Sequence, residues 1–333
     1  MENRQWRLHA RPKGMVQAGD FEKVAVALPS PGPGEALVKT QYVSLDPAMR
    51  GWMNDAKSYI PPVGLGEVMR AIGVGTVVAS NDPSLAAGDL VTGPTNVQEY
   101  AVAPAKQWQK LPAGVAPPER WLGVLGMPGI TAYFGLIDVG QAKAGETLLV
   151  SAAAGAVGAV VGQIGKALGM RVVGIAGGAD KCKYIVDELG FDAAVDYKSG
   201  DVRAALKEHC PKGIDVYFDN VGGELLDMAL AMLRRRARVV ICGAISQYNN
   251  EGGVVSGPKN YMSLLINSAR MEGFVVFHFA ERYPEAVMAL AGWYREGKLK
   301  AREDIVDGLD QFPDALLRLF RGENFGKLIL KVA

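Results

Sequence analysis

The stretch ETLLVSAAAGAVGAVVGQIGKALG (146–169) decides how the rest of the chain is read. Its opening, ETLLVSA, is a short apolar run of the kind that forms a strand buried on both faces. Its second half changes to a helical rhythm, and Ala153–Gly158 between them spell A-x-G-x-x-G. That is a degenerate form of the dinucleotide fingerprint, with alanine in place of the first glycine. Alone it says little; the strand before it and the helix after it give it weight. On this reading Gly155 lets the backbone approach a pyrophosphate, and Gly158 lets helix and strand pack closely. The pyrophosphate rests on free N–H groups where a helix opens, from Gly155 to about Leu168.

Outward from this turn, strand-like and helical segments alternate. RVVGIAG, DKCKYIVDELG, AAVDY, DVRAALKEH, IDVYFDN, GELLDMALAMLRRRA and RVVICGA follow in order. Such alternation predicts βαβ units, hence a parallel sheet with helices on both faces. The first 125 residues differ: short β-branched runs (EALVKTQYVSL, RAIGVGTVVAS, VQEYAVA) are separated by turn signals such as PGPG at 31–34. They predict an antiparallel barrel or sandwich. Beyond residue 300, IVDGLDQFPDALLRLFRG and GKLILKVA read as helix and strand. MEGFVVF (271–277) reads as one continuous apolar strand, which at a sheet edge would invite pairing with a second copy. The expected fold class is α/β, a doubly wound Rossmann sheet plus a mostly antiparallel β domain.

Which dinucleotide is bound turns on the second strand. An NAD site normally has an acid at its end, about 20 residues past the fingerprint, to hold the ribose 2′-OH. Here RVVGIA ends in Gly177 and Gly178, so nothing repels a 2′-phosphate. Lys181 supplies a compensating charge, and Asp180 reads as a cap of the next helix. The expected cofactor is therefore NADP(H).

Bulk composition narrows the class further. With 333 residues, 49% hydrophobic and 21% charged, the chain has the make-up of a globular protein of two domains. A net charge of +1 gives no reason to expect a nucleic-acid partner. Arg234, Arg235, Arg236 and Arg238 cluster where a helix is expected to end, and they suit its dipole there. No apolar run is long enough for a membrane span and the N-terminus lacks a secretory pattern. Three cysteines (Cys182, Cys210, Cys242) form no disulfide framework, which fits a reducing cytoplasm. Three scattered histidines and the absence of any CxxC argue against a metal. His209 and Cys210, adjacent in sequence, read as a helix end rather than a catalytic pair.

Several longer motifs resemble a known group: MPGITAY (127–133), AAAGAVGAVVGQIGKALG (152–169), FDNVGGE (218–224), CGAISQYN (242–249), RMEGFVVF (270–277) and NFGKLIL (324–330). They are similar to the zinc-independent medium-chain dehydrogenase/reductases. Within these, the branch of leukotriene B4 dehydrogenase/prostaglandin reductase and 2-alkenal reductase is the nearest, and the resemblance covers nearly the whole chain. It implies a GroES-like catalytic domain over 1–126, rejoined by 300–333, and a Rossmann domain over 127–299. Where zinc-containing relatives carry GHE, this chain reads GLGE (64–67). By resemblance the NADP(H) contacts fall on Gly155, Ala156, Val157, Gly158, Lys181, Tyr197 and Asn220. The CGAIS loop (Cys242, Gly243, Ala244, Ile245, Ser246, with Tyr248), Phe274, Val275, Val276 and Asn324 complete them. The resemblance also implies a homodimer.

The implied reaction is hydride addition to the β-carbon of an α,β-unsaturated aldehyde or ketone, a small-molecule substrate. Without a metal, the charge that develops on the carbonyl oxygen needs a hydrogen-bond donor, and a neutral tyrosine hydroxyl suits it. Tyr261, in GPKNYMSLL, and Tyr59, in SYIPP, are the catalytic candidates, with the ribose 2′-OH as the alternative donor. Quinone reduction is a neighbouring possibility, and a nucleotide-binding protein without turnover is one of another kind. The loops 44–66 and 243–262 are expected to shape the substrate pocket.

Overall fold

The computed structural model describes residues 2–250, 255 and 257–332. The chain divides into two compact units, residues 1–122 with 303–333, and residues 123–302.

In the first unit the strands are β1 (Glu2–Leu8), β2 (Phe21–Ala27), β3 (Glu35–Ser44), β4 (Gly73–Ser80), β5 (Leu90–Gly93), β6 (Tyr100–Pro104) and β7 (Gln109–Lys110), with the short helix α1 (Ala48–Trp52). β1 and β2 form a hairpin ladder; the main sheet runs β14-β15-β3-β4-β5-β7, with β6 on β3. Here β14 is Glu303–Asp307 and β15 is Lys327–Lys331, joined by α9 (Phe312–Arg321). Every pairing is antiparallel except β14 with β15. IVD (305–307), read from sequence as the start of a helix, is thus strand, and helix begins only at Phe312. α9 alternates buried Phe312, Leu316 and Leu319 with exposed polar positions, and it lays that stripe on a core of Leu8, Val43, Met49 and Leu330. Two cations are buried with partners: Arg50 donates to the Pro12 and Gly14 carbonyls, and the Lys327 ammonium contacts Asp46 at 2.7 Å and the Leu45 carbonyl at 2.8 Å.

The second unit holds α2 (Met127–Phe134), β8 (Thr147–Val150), α3 (Gly158–Ala167), β9 (Arg171–Ala176), α4 (Ala179–Lys183), β10 (Ala193–Asp196), α5 (Val202–His209), β11 (Ile214–Asp219), α6 (Gly223–Leu230), β12 (Leu233–Ile241), α7 (Met262–Ile266), β13 (Arg270–Gly273) and α8 (Tyr283–Arg295). Its six strands are all parallel, in the order β10-β9-β8-β11-β12-β13. This is the doubly wound arrangement: the chain starts in the middle at β8, winds outward to β10, then returns to β11 and winds the other way. β8 and β11 are buried along their whole length, as the central strands of a sheet covered on both faces must be.

Four readings of local sequence are corrected. The helix over GELLDMALAMLRRRA stops at Leu230, and Arg234, Arg235, Arg236 and Arg238 stand on β12. Arg238 is buried and clamps Glu146 and the Gly140 carbonyl, so it serves the sheet rather than a helix dipole. MEGFVVF is strand only to Gly273, and a 3-10 turn takes over at Val276. The fingerprint helix begins at Gly158, not Gly155. Finally, Asp180 is not a cap: α4 is preceded by Gly178 and Asp180 lies exposed in its first turn.

Candidate dinucleotide site

The carboxyl ends of β8, β9 and β11 meet where the strand order reverses, the usual place for a ligand in an open α/β sheet. From β8 the chain turns sharply at Ala152 (φ 49°), and the Ala153 N–H bonds back to the Ile175 carbonyl of β9 at 2.9 Å. Ala156 and Val157 follow, and α3 opens with no side-chain cap and no acid in its first turn. The N–H groups ahead of Ala159 therefore have no helical carbonyl to bond, which leaves donors and the positive helix end for an anion. Gly158 is fixed by close approach: a Cβ there would overlap the Ala152 carbonyl. Gly155 is less constrained, its hypothetical Cβ lying 3.1 Å from that same oxygen.

At the end of β9 the structure brings Gly177 and Tyr197 together. The Tyr197 ring, 45% exposed, lies directly over Gly177, where a Cβ would fall 2.7–2.8 Å from its ring carbons and hydroxyl. Lys181 lies four residues beyond Gly177, on α4, and is half-buried. Sequence reading missed one residue of this corner. Asp196, the last residue of β10, accepts hydrogen bonds from the Gly178 N–H at 2.7 Å and the Lys198 N–H at 2.9 Å. The Gly178 N–H is the chief reason its carboxyl is held below the ordinary value, so an acid does reach the end of β9, turned onto backbone.

The floor between β8, β11 and β12 is a polar layer. Asn220 donates from its amide to the Ser151 carbonyl at 2.8 Å, and its N–H bonds the Ser151 hydroxyl at 2.8 Å. The CGAIS loop hangs from this layer by backbone: the Cys242 and Gly243 N–H groups bond the Asp219 carbonyl, Ile245 bonds Asn220, and Ser246 bonds Val221. The Ser246 hydroxyl donates to the same Val221 carbonyl at 2.6 Å, while the Tyr248 hydroxyl accepts from the Ala244 N–H at 3.2 Å. Burial, with Asp219 nearby, pushes the Cys242 thiol up to about 12, so it stays protonated at neutral pH. Cys210 is likewise pushed up to about 11 by burial and ends α5 beside His209.

The remaining expected contacts stand at scattered points. Phe274 turns its ring onto Phe218 and Phe279, with Val275 and Val276 following it at the edge of the sheet. Tyr261 immediately precedes α7 and is 58% exposed. In the other unit, the Tyr59 hydroxyl accepts from the Trp52 indole N–H at 3.3 Å, and Asn324 donates to the Gly326 carbonyl at 3.1 Å. Of the loop 243–262, residues 251–254 and 256 lie outside the described residues.

A family model described as the N-terminal domain of oxidoreductase matches residues 4–111, and one described as zinc-binding dehydrogenase matches residues 156–292. Among the described residues, no group of three or more His, Cys, Asp or Glu is placed to hold a metal ion. The NADPH-dependent curcumin reductase of Escherichia coli is 43% identical over 335 residues, covering 99% of this chain and 97% of that protein. The NADP(+)-dependent 2-alkenal reductase of Nicotiana tabacum is 40% identical over 339 residues, covering 100% and 98%. The crystal structure of CurA from Vibrio vulnificus in complex with NADPH superposes with a TM-score of 0.94 at 44% identity, covering 99% of both chains. The chain thus belongs to the medium-chain dehydrogenase/reductase family, in the zinc-independent branch that holds the curcumin, 2-alkenal and prostaglandin reductases.

Proposed function

We propose that this chain is an NADPH-dependent reductase of the C=C bond in α,β-unsaturated aldehydes and ketones. The observation that supports the cofactor is the corner of β9, where the Tyr197 ring covers Gly177 beside an uncapped helix start, with Lys181 four residues on in α4. Relatives that span the whole chain and are named for NADPH, curcumin and 2-alkenals support the substrate class. NADPH, when bound, supplies the hydride that adds to the β-carbon; the π electrons move to the carbonyl oxygen, and the α-carbon then takes a proton.

The chain's own work is to hold and orient. Gly155, Ala156, Val157 and Gly158 receive the pyrophosphate, and Lys181 and Tyr197 the 2′-phosphate and its ribose. Asn220, the loop from Cys242 to Ser246 with Tyr248, Phe274 to Val276, and Asn324 line the path toward the nicotinamide. Tyr261 and Tyr59 are the proposed donors to the developing oxyanion. One such donor is worth about 3–4 kcal/mol in related acyl-transfer sites. Tyr261→Phe is therefore expected to lower kcat for an enone by about tenfold or more, with the Kd for NADPH kept. Unchanged kcat in steady-state assays removes Tyr261 from this role. Methyl vinyl ketone compared with a small quinone, each followed by NADPH absorbance, tests the substrate class, and exclusive quinone turnover would replace it.

The chain is also proposed to work as a cytoplasmic homodimer through the edge of its parallel sheet. All four residues of β13 are exposed, and Leu265 and Ile266 on the adjoining α7 are 72% and 78% exposed. An unpaired strand edge beside bare aliphatic side chains favours a second copy as its cover.

A further inference from the structure

Asp219 ends β11 with no exposed surface, and its carboxylate gathers five hydrogen bonds. Its Oδ1 accepts from the Ser151 hydroxyl at 2.9 Å, the Tyr217 hydroxyl at 2.8 Å, the Val221 N–H at 2.9 Å and the Gly222 N–H at 3.0 Å. Its Oδ2 accepts from the Gly222 N–H at 3.1 Å. Two of the four donor residues thus give backbone N–H groups of the turn that follows, and the other two give side chains: Ser151, just after β8, and Tyr217 of β11. A buried carboxylate is costly unless its lone pairs are filled, so apolar residues here would serve the fold alone at lower cost. What the network fixes is the path of residues 219–222. That path carries Asn220, and its carbonyls hold the N–H groups of Cys242, Gly243, Ile245 and Ser246. Ser151 closes the circuit: its hydroxyl donates to Asp219 while accepting from the Asn220 N–H.

We propose that Tyr217, Ser151 and Asp219 are positioning residues, which set Asn220 and the CGAIS loop for the nicotinamide half of the dinucleotide. The inference rests on the dinucleotide reading of this edge. None of the three needs to touch the cofactor; each acts through the backbone it holds. The proposed 2′-phosphate corner lies elsewhere, at the start of α4 and just past β10, whereas the network sits on β11 and the turn after it. A loss here therefore falls equally on NADPH and NADH.

The test compares Tyr217→Phe with Ile214→Val, a buried change at the opposite end of the same strand. Kd for NADPH and NADH is measured by cofactor fluorescence, and stability by urea unfolding. Tyr217→Phe is expected to weaken both cofactors by the same factor, about tenfold, because one buried acceptor loses its partner. Ile214→Val is expected to leave both within about twofold despite its own loss of stability. Ser151→Ala, which removes a second side-chain donor, should repeat the Tyr217→Phe pattern and stands in for it if that variant does not fold. The proposal is overturned if the folded variants bind as the parent does, if they lose NADPH alone, or if Ile214→Val weakens binding as much. A parent protein that binds neither dinucleotide overturns the proposed function itself.

Discussion

At Gly177 a missing side chain makes room for the Tyr197 ring, which any Cβ would push aside. The carboxylate that does reach this corner, Asp196, is turned onto the Gly178 N–H. Lys181, four residues on in α4, is a flexible point charge, suited to a phosphate but without bidentate geometry. Lys181→Ala is therefore expected to raise the KM for NADPH by about tenfold and to leave that for NADH within about twofold. Equal effects in parallel steady-state titrations would detach Lys181 from the 2′-phosphate. The glycines and the lysine were legible because they fall within a few residues of a recognisable strand. Asp196 was not, because it bonds Gly178 across 18 residues and only the pairing of β10 on β9 brings the two together. Tyr217 and Asp219 were hidden for a similar reason: within an apolar strand they read as packing, and their role depends on Ser151, 68 residues from Asp219.

Among the elements, α3 is held close to its own preceding turn. The tight fit of Gly158 on the Ala152 carbonyl sets where the helix begins, and so where its free N–H groups point. Gly158→Val is expected to displace that start and weaken NADPH binding by about tenfold or more, as read by fluorescence titration. Parent-like affinity would show that the turn tolerates a side chain and that its fit is incidental. The same element shows why strand–helix alternation was readable: each switch of period from ETLLVSA onward coincides with a real change of structure. Ends were less readable. AMLRRRA has strong helix formers, yet β12 begins at Leu233 because pairing with β11 overrides local propensity. FVVF has strand formers, yet β13 stops at Gly273 and the Phe274 ring joins Phe218 and Phe279 instead.

Taken whole, the molecule is two differently built units: one mostly antiparallel and rejoined by its C-terminal segment, the other a doubly wound parallel sheet. No helix among the described residues is long and apolar enough to cross a membrane. The exposed edge at β13 and α7 leads to a prediction on assembly. Leu265→Glu with Ile266→Glu is expected to turn the proposed dimer into a monomer in sedimentation, since charges there meet their copies across a two-fold interface. A parent that is itself monomeric would end the proposal. The central claim is the chemistry, and one isotope experiment reads it directly. The protein is supplied with NADPH deuterated at C4 of the nicotinamide and with an enone, and the product is followed by NMR. The account predicts a saturated ketone with deuterium on the former β-carbon. Deuterium on the carbonyl carbon of an allylic alcohol, or no product at all, would contradict it.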